Sequence, residues 1–333
     1  MKRRDFVAGL MIATAMRRAV AQQPTTTKRV AIVATSFKVS DMTADRDRYY
    51  RAFFEELKRL GFIEGQNLVV ERYSAEGQKE RHVELAREVV GTHPDVILVF
   101  SPSLAFAFKA ATTVIPIVTS TGDPVAIGLI PSLAHPGGNI TGVAADAGLQ
   151  LYEKWIELLK ELLPKLSSIF VLASKPHWEG NETSVAVRAG ARRTGTSLIP
   201  ILMGSTINEA AYESAFKSME PDRADALLVS NEVENWIYRV TLLRLIAERR
   251  LPAMYPSRGW VELGGLMSYG AEFNSVFRRF VVIIADVLNG KKPQDIPFSQ
   301  PTKFELVINL KTAKSQRIDV PDALIARADE VIE

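Results

Sequence analysis

Along the chain, short unbroken apolar runs alternate with longer stretches in which apolar residues recur every three or four positions. This is the pattern of buried strands alternating with amphipathic helices. RVAIVAT (29–35) reads as a strand, Arg46 to Leu60 as a helix stopped by Gly61, NLVVERY (67–73) as a strand and Arg81 to Val90 as a helix. DVILVF (95–100), a helix from Leu104 to Thr113, IPIVTS (115–120) and ITGV (140–143) complete a first series. A second series starts with a helix from Leu151 to Leu163 and continues through SSIFVLAS, a helix from Glu182 to Thr194, SLIPILM, a helix from Asn208 to Met219 and ALLVS. A helix from Glu234 to Arg249, LPAMY, GGLMSYG, a helix from Phe273 to Leu288, FELVINL and a short helical tail ending ARADEVIE follow.

The repeat of roughly 30 residues is that of βα units. β-branched runs such as DVILVF and IPIVTS imply parallel strands covered on both faces. The expected fold is α/β, with two Rossmann-like lobes around parallel central sheets. A closed eight-stranded barrel would also give parallel strands. The helix that follows ITGV directly reads instead as a crossover between halves. In open sheets of this kind ligands sit outside the carboxyl ends of the strands. That rule singles out Ser101-Pro102-Ser103 after DVILVF and Thr121-Gly122-Asp123-Pro124 after IPIVTS. These are short donors and acceptors, suited to holding a small polar molecule. Asp123 has two readings that position alone leaves level: an Asx residue folding its own turn before proline, or a carboxylate for a ligand ammonium group.

Length and charge narrow the picture. The 333 residues suffice for two domains. Formal charge is +3, but the first 18 residues hold five positive and one negative side chain, so the remainder stands at −1. Such a body lacks the clustered Lys and Arg of a nucleic-acid binder. Residues 1–21 have the layout of an export signal: MKRR, an apolar run from Phe6 to Met16, then Ala19-Val20-Ala21. Arg3-Arg4-Asp5-Phe6 resembles the twin-arginine motif, although Lys2 replaces the usual hydroxyl residue and Arg17-Arg18 intrude before the cleavage site. The run is well short of the roughly 20 residues of a membrane span. With no cysteine, disulfides, thiolate metal sites and cysteine catalysis are excluded.

Catalytic signatures are missing as well. No Gly-x-Gly-x-x-Gly turn, phosphate-binding loop or Gly-x-Ser-x-Gly elbow occurs. His82, His93, His135 and His177 lack ligand spacing and read as surface or loop residues. No metal, cofactor or enzymatic activity is expected.

LGFIEGQNLVVERYSAEG, IPIVTSTGDPVAIGLIPSLAHPGGNITGV, ADALLVS, RLPAMY, ELGGLMSYG and QPTKFELVINLKTAK together span residues 60 to 314. As a set they resemble the substrate-binding proteins of ABC uptake systems with the type I periplasmic fold, in the branch of tryptophan-type amino-acid binders. The resemblance implies a monomeric periplasmic receptor whose lobes close by a hinge on a small polar or aromatic solute and deliver it to permease subunits. It implies a first lobe of 28–146 plus about 268–300, and a second of 147–267 plus about 301–333. It places Ser101 and Ser103 at the ligand carboxylate, Thr121 and Asp123 near the ammonium group, and Phe37 and Tyr49 over the ligand. Ser174, Asn231, Glu232, Tyr255 and Tyr269 would line the second lobe. Lys175-Pro176-His177-Trp178 departs from the asparagine and proline common after SSIFVLAS, which leaves ligand identity open. Trp178 and Trp236 read foremost as packing residues. A periplasmic ligand sensor and a twin-arginine-exported enzyme are the competing classes.

Overall fold

The computed structural model describes residues 27–144, 150–180, 182–204, 206–220 and 223–333, so the export-signal segment 1–21 and the expected 146/147 lobe boundary lie outside the described residues. The first series forms β1 (Lys28–Ala34), α1 (Arg48–Arg59), β2 (Leu68–Ser74), α2 (His82–Gly91), β3 (Val96–Val99), α3 (Pro102–Ala111), β4 (Ile117–Thr121) and β5 (Ile140–Ala144). Its five strands are parallel, in the order β2-β1-β3-β4-β5.

The second series forms α4 (Gln150–Leu162), β6 (Ser168–Ser174), α5 (Lys175–Gly180), α6 (Glu182–Thr194), β7 (Ser197–Met203) and α7 (Glu209–Ser218). It continues with β8 (Ala226–Val229), α8 (Val233–Ile237), α9 (Arg239–Glu248), β9 (Ala253–Tyr255), α10 (Arg258–Glu262) and β10 (Met267–Ala271). Then come α11 (Phe273–Leu288), β11 (Phe304–Asn309), α12 (Leu310–Gln316), α13 (Asp322–Ile325) and β12 (Glu330–Ile332). The second sheet runs β12-β11-β10-β9-β8-β6-β7 and is parallel except where β11 lies antiparallel to β10. Two separate sheets exclude the barrel.

Strand side chains alternate faces, and β1 shows why the apolar runs are unbroken. Val30, Ile32 and Ala34 point into a core with α1 and α11, while Ala31 and Val33 point into one with α2 and α3. In β6, Ile169 and Val171 serve one core, and Phe170 and Leu172 another. Pro200, which cannot donate to a ladder, is tolerated in β7 because that strand is an edge. Local chemistry sets the helix starts. Asp47 caps α1 by accepting from the amides of Tyr49 and Tyr50, at 2.8 and 3.0 Å. Ser101 caps α3 with Pro102 in its first turn.

Several expectations need correction. The single helix expected over Glu234–Arg249 is two, separated at Tyr238. The tail ends as strand β12, not helix. Helices α5 and α10 had no counterpart in the pattern. His82 is neither surface nor loop: it opens α2 at 4% exposure, and burial lowers its pKa. The return to the first lobe's layers comes after Ala271, a little later than the expected Ser268, because β10 pairs with β9 and β11. From there α11 packs into the first lobe's core. Ser299 pairs with Val143 of β5 before the chain returns to β11.

Candidate functional site

Each sheet holds the order 2-1-3-4-5 in its parallel part, so each has one point where successive connections diverge: between β1 and β3, and between β6 and β8. Crevices at such switch points are where open α/β sheets hold ligands. A cavity of about 640 Å³ lies at the second of these points, bounded by Lys79, Ala126 and Ile127 of the first lobe and by Ser174, His177, Ile207, Glu232 and Glu234 of the second. That volume suits a small-molecule ligand.

Glu232 marks the second lobe's switch point. Its Oε2 accepts from the Ser174 amide at the end of β6 (2.9 Å) and from the Ser230 hydroxyl just past β8 (2.6 Å). Among the described residues nothing donates to its Oε1. Glu234, one helical step further, pairs with Lys79 across the cleft. Lys79 is the one Lys or Arg among the described residues lining the cavity. Among the described residues Glu232 makes no ion pair, and it lines the cavity beside apolar Ala126, Ile127 and Ile207.

A second bridge between the lobes joins Arg48 of α1 to Glu262 of α10. Glu262 also binds Arg258 (2.8 Å), which reaches Glu305 (3.3 Å) and Glu330. Burial raises the Glu305 carboxyl above its ordinary range, an effect that Arg258 opposes. The Tyr49 hydroxyl accepts from Arg48 at 2.6 Å, and burial raises its pKa in spite of that cation.

A family model described as ABC transporter substrate binding protein matches residues 33–332. The chain belongs to that family. Among similar proteins, a tyrosine-binding protein of Clostridioides difficile (strain R20291) is 25% identical over 290 residues, covering 85% of this chain and 81% of the relative. A conserved domain protein from Vibrio cholerae superposes with a TM-score of 0.79 at 26% identity, covering 92% of this chain and 99% of the other. An ABC domain from Streptococcus pneumonia in complex with L-Trp gives 0.79 at 22% identity, with coverage of 92% and 99%, a likeness of fold.

In this substrate binding protein the residues named from sequence fall into three groups. Ser174 and Glu232 meet at the cavity, with exposed Asn231 beside them. A second group lies at strand ends but is engaged elsewhere. Ser101 is spent on the Leu104 amide and lies 3.3 Å from the Ser103 hydroxyl, which is on an exposed residue. Asp123 is exposed, and its Oδ1 accepts from the amides of Val125 (2.9 Å) and Ala126 (3.0 Å), the turn-forming arrangement. That turn carries Ala126 and Ile127 to the cavity wall. Thr121, 3% exposed at the end of β4, has a hydroxyl with no hydrogen-bond partner among the described residues.

The third group packs. Phe37 meets Tyr50 edge-on at 6.1 Å, Tyr49 stacks on Phe277 at 5.6 Å and Tyr269 lies against Phe304 at 6.0 Å. Tyr255 is a correction: at 1% exposure it stacks on Trp260 inside the second lobe's core. Trp178 and Trp236 pack under Arg188 and Arg239. Sequence reasoning missed Lys79, Ile127, Ile207 and Glu234. The rule about strand carboxyl ends, applied to β2 and β7 as well, would have pointed toward Lys79 and Ile207.

Proposed function

We propose that the protein is an extracytoplasmic solute receptor of an ABC uptake system, without catalytic activity, that captures an amino-acid-like solute between its lobes. The observation that carries this reading is the Glu232 carboxyl group, held by two donors on Oε2, with none on Oε1 among the described residues, at a cavity that both lobes border. A carboxylate so placed takes an ammonium group by a charge-assisted hydrogen bond, and the apolar wall takes the solute's side chain. The named ligands of the tyrosine-binding relative and of the L-Trp complex favour an aromatic amino acid. The export signal over 1–21 delivers the receptor to the periplasm, where it works as a monomer with its permease subunits.

The test is a thermal-shift screen of the mature chain from Gln22, refolded free of carried-over ligand. The panel contains L-tyrosine, L-tryptophan, their deaminated arylpropionates and their decarboxylated amines. A solute at 100 times its Kd adds about 2.7 kcal/mol and raises Tm by roughly 5 °C or more. Amino acids are expected to give this rise, and arylpropionates at the same concentration a smaller one that reflects weaker binding. A flat response to every amine, or an equal response to the arylpropionates, removes the ammonium assignment.

The lobes are expected to close as hinged bodies, with the Lys79–Glu234 pair favouring the closed form. Lys79 is 60% exposed, so solvent and salt screen the pair and it contributes about 0.2–1 kcal/mol. Lys79→Met is expected to shift the open-to-closed ratio by no more than about fivefold, and to lessen its salt dependence. Interlobe distances from fluorescence transfer read this directly; a ratio insensitive to both substitution and salt would show the pair to be idle.

A further inference from the structure

Asn235 lies in α8 at 2% exposure, out of reach of the cavity, yet its amide is fully engaged. Nδ2 donates to the Ser230 carbonyl (3.0 Å) and the Ser230 hydroxyl (2.9 Å), and Oδ1 accepts from the Tyr212 hydroxyl (2.8 Å). These partners leave one arrangement of protons. A backbone carbonyl only accepts, so Nδ2 must face it and Oδ1 must face Tyr212. Tyr212 therefore donates. Ser230 receives a proton from Asn235 and has its own left for Glu232, 2.6 Å away. Donors run one way, from Tyr212 through Asn235 and Ser230 to a carboxylate oxygen that also accepts from Ser174.

Such a chain can end only on an acceptor. It fixes Oε2 inward as the acceptor of two hydrogen bonds, which leaves Oε1 for a solute. Burial raises the Tyr212 pKa far above its ordinary value, and the charges of Glu234 and Glu232 add to this, so the chain's first donor keeps its proton. Buried networks of this kind fix geometry as long as every member is satisfied.

We infer that Tyr212 and Asn235 are positioning residues for Glu232, and that through them the cleft selects solutes bearing an ammonium group over the same solutes without one. The inference rests on the solute-receptor reading above.

Two near-isosteric substitutions test it. Asn235→Asp cannot donate to Ser230, so the serine proton turns from Glu232 toward the new carboxylate; Tyr212→Phe removes only the first donor. Titration calorimetry with L-tyrosine and L-tryptophan should show a loss of about tenfold for Asn235→Asp and roughly threefold for Tyr212→Phe. Affinity for the matching arylpropionates should stay within about twofold, since those ligands bring no cation to Glu232. A merely structural role would lower both classes in parallel; that result, or no change in either, overturns the inference. If Asn235→Asp fails to fold, Tyr212→Phe decides the question by the same comparison of the two ligand classes.

A cycle of melting temperatures pairing Tyr212→Phe with Glu232→Ala, which removes the acceptor at the end of the chain, needs no ligand. Strictly additive shifts mean that Tyr212 does not act through Glu232, and the inference falls. Coupled shifts in a protein that binds no amine of the panel keep the relay and remove the solute assignment.

Discussion

Glu232→Gln is expected to weaken binding of an amino acid by about 100-fold, a loss of roughly 3 kcal/mol. The substitution keeps shape and reverses one half of the group's chemistry. Oε2 accepts from the Ser174 amide and the Ser230 hydroxyl. Glutamine must place its carbonyl oxygen there, because its NH2 would otherwise face a backbone amide that can only donate. That choice sends the NH2 into the cavity at the position of Oε1. An ammonium group arriving there meets two donor hydrogens in place of a charged acceptor. The fold should hardly notice, since both inward hydrogen bonds survive. Calorimetry should therefore show the loss for L-tyrosine or L-tryptophan alongside an unchanged Tm, and an arylpropionate should bind no worse than to the parent. A glutamine variant that binds amino acids as tightly as the parent would place the solute's ammonium elsewhere in the cleft.

How much of this could be read before folding depends on the range of the interaction. Strands β1, β3, β4 and β6 are legible because both faces are covered, which forces unbroken apolar runs of a kind that exposed loops do not carry. The C-terminal end of α1 is legible because a Gly stop acts over a few residues, whereas its start, set by the Asp47 cap, falls two residues after the expected Arg46. Tyr255 was misplaced because β9 is only three residues long, and its last side chain turns toward Trp260 of α10, a helix of five residues too short to show a period. Asp123 could not be decided because its alternatives differ by where one carboxylate oxygen points. The relay was out of reach for a related reason: Tyr212 and Asn235 are 23 positions apart and meet only once α7 has packed near the end of β8. Glu232 and Ser174 were named through the family resemblance, and what brings them together is the neighbouring of β6 and β8 in the sheet. Sites built at sheet switch points share this property, since the strands that supply them are adjacent in space and separated along the chain by a helix, a strand and another helix.

The largest stability loss is expected at Gly142, in the strand that ends the first series. A Cβ there would lie 1.9 Å from the Thr119 carbonyl oxygen and 2.8 Å from its nitrogen. Real carbon atoms do not approach backbone so closely, and Thr119 cannot move aside: it is fully buried in β4, hydrogen-bonded between β3 and β5. The obstruction is backbone, so no rotamer change relieves it. Gly142 also accepts from the Ser299 amide at 2.9 Å, and the Ser299 carbonyl accepts from Ala144 at 2.8 Å. Any outward shift of β5 would loosen the segment by which the chain later returns to the second lobe. Overpacking at such a site, with two ladders disturbed, places Gly142→Ala at about 4 kcal/mol or beyond, roughly 10 °C in Tm, or without a folded first lobe. Gly91 supplies the contrast, because its added Cβ meets no heavy atom within 4 Å at the end of α2. Gly91→Ala should melt at or slightly above the parent, as expected where alanine only narrows the unfolded ensemble. If thermal unfolding of the two variants coincided, the approach of β5 to β4 would have to be looser than the distances state, and the glycine would owe its place to something other than contact.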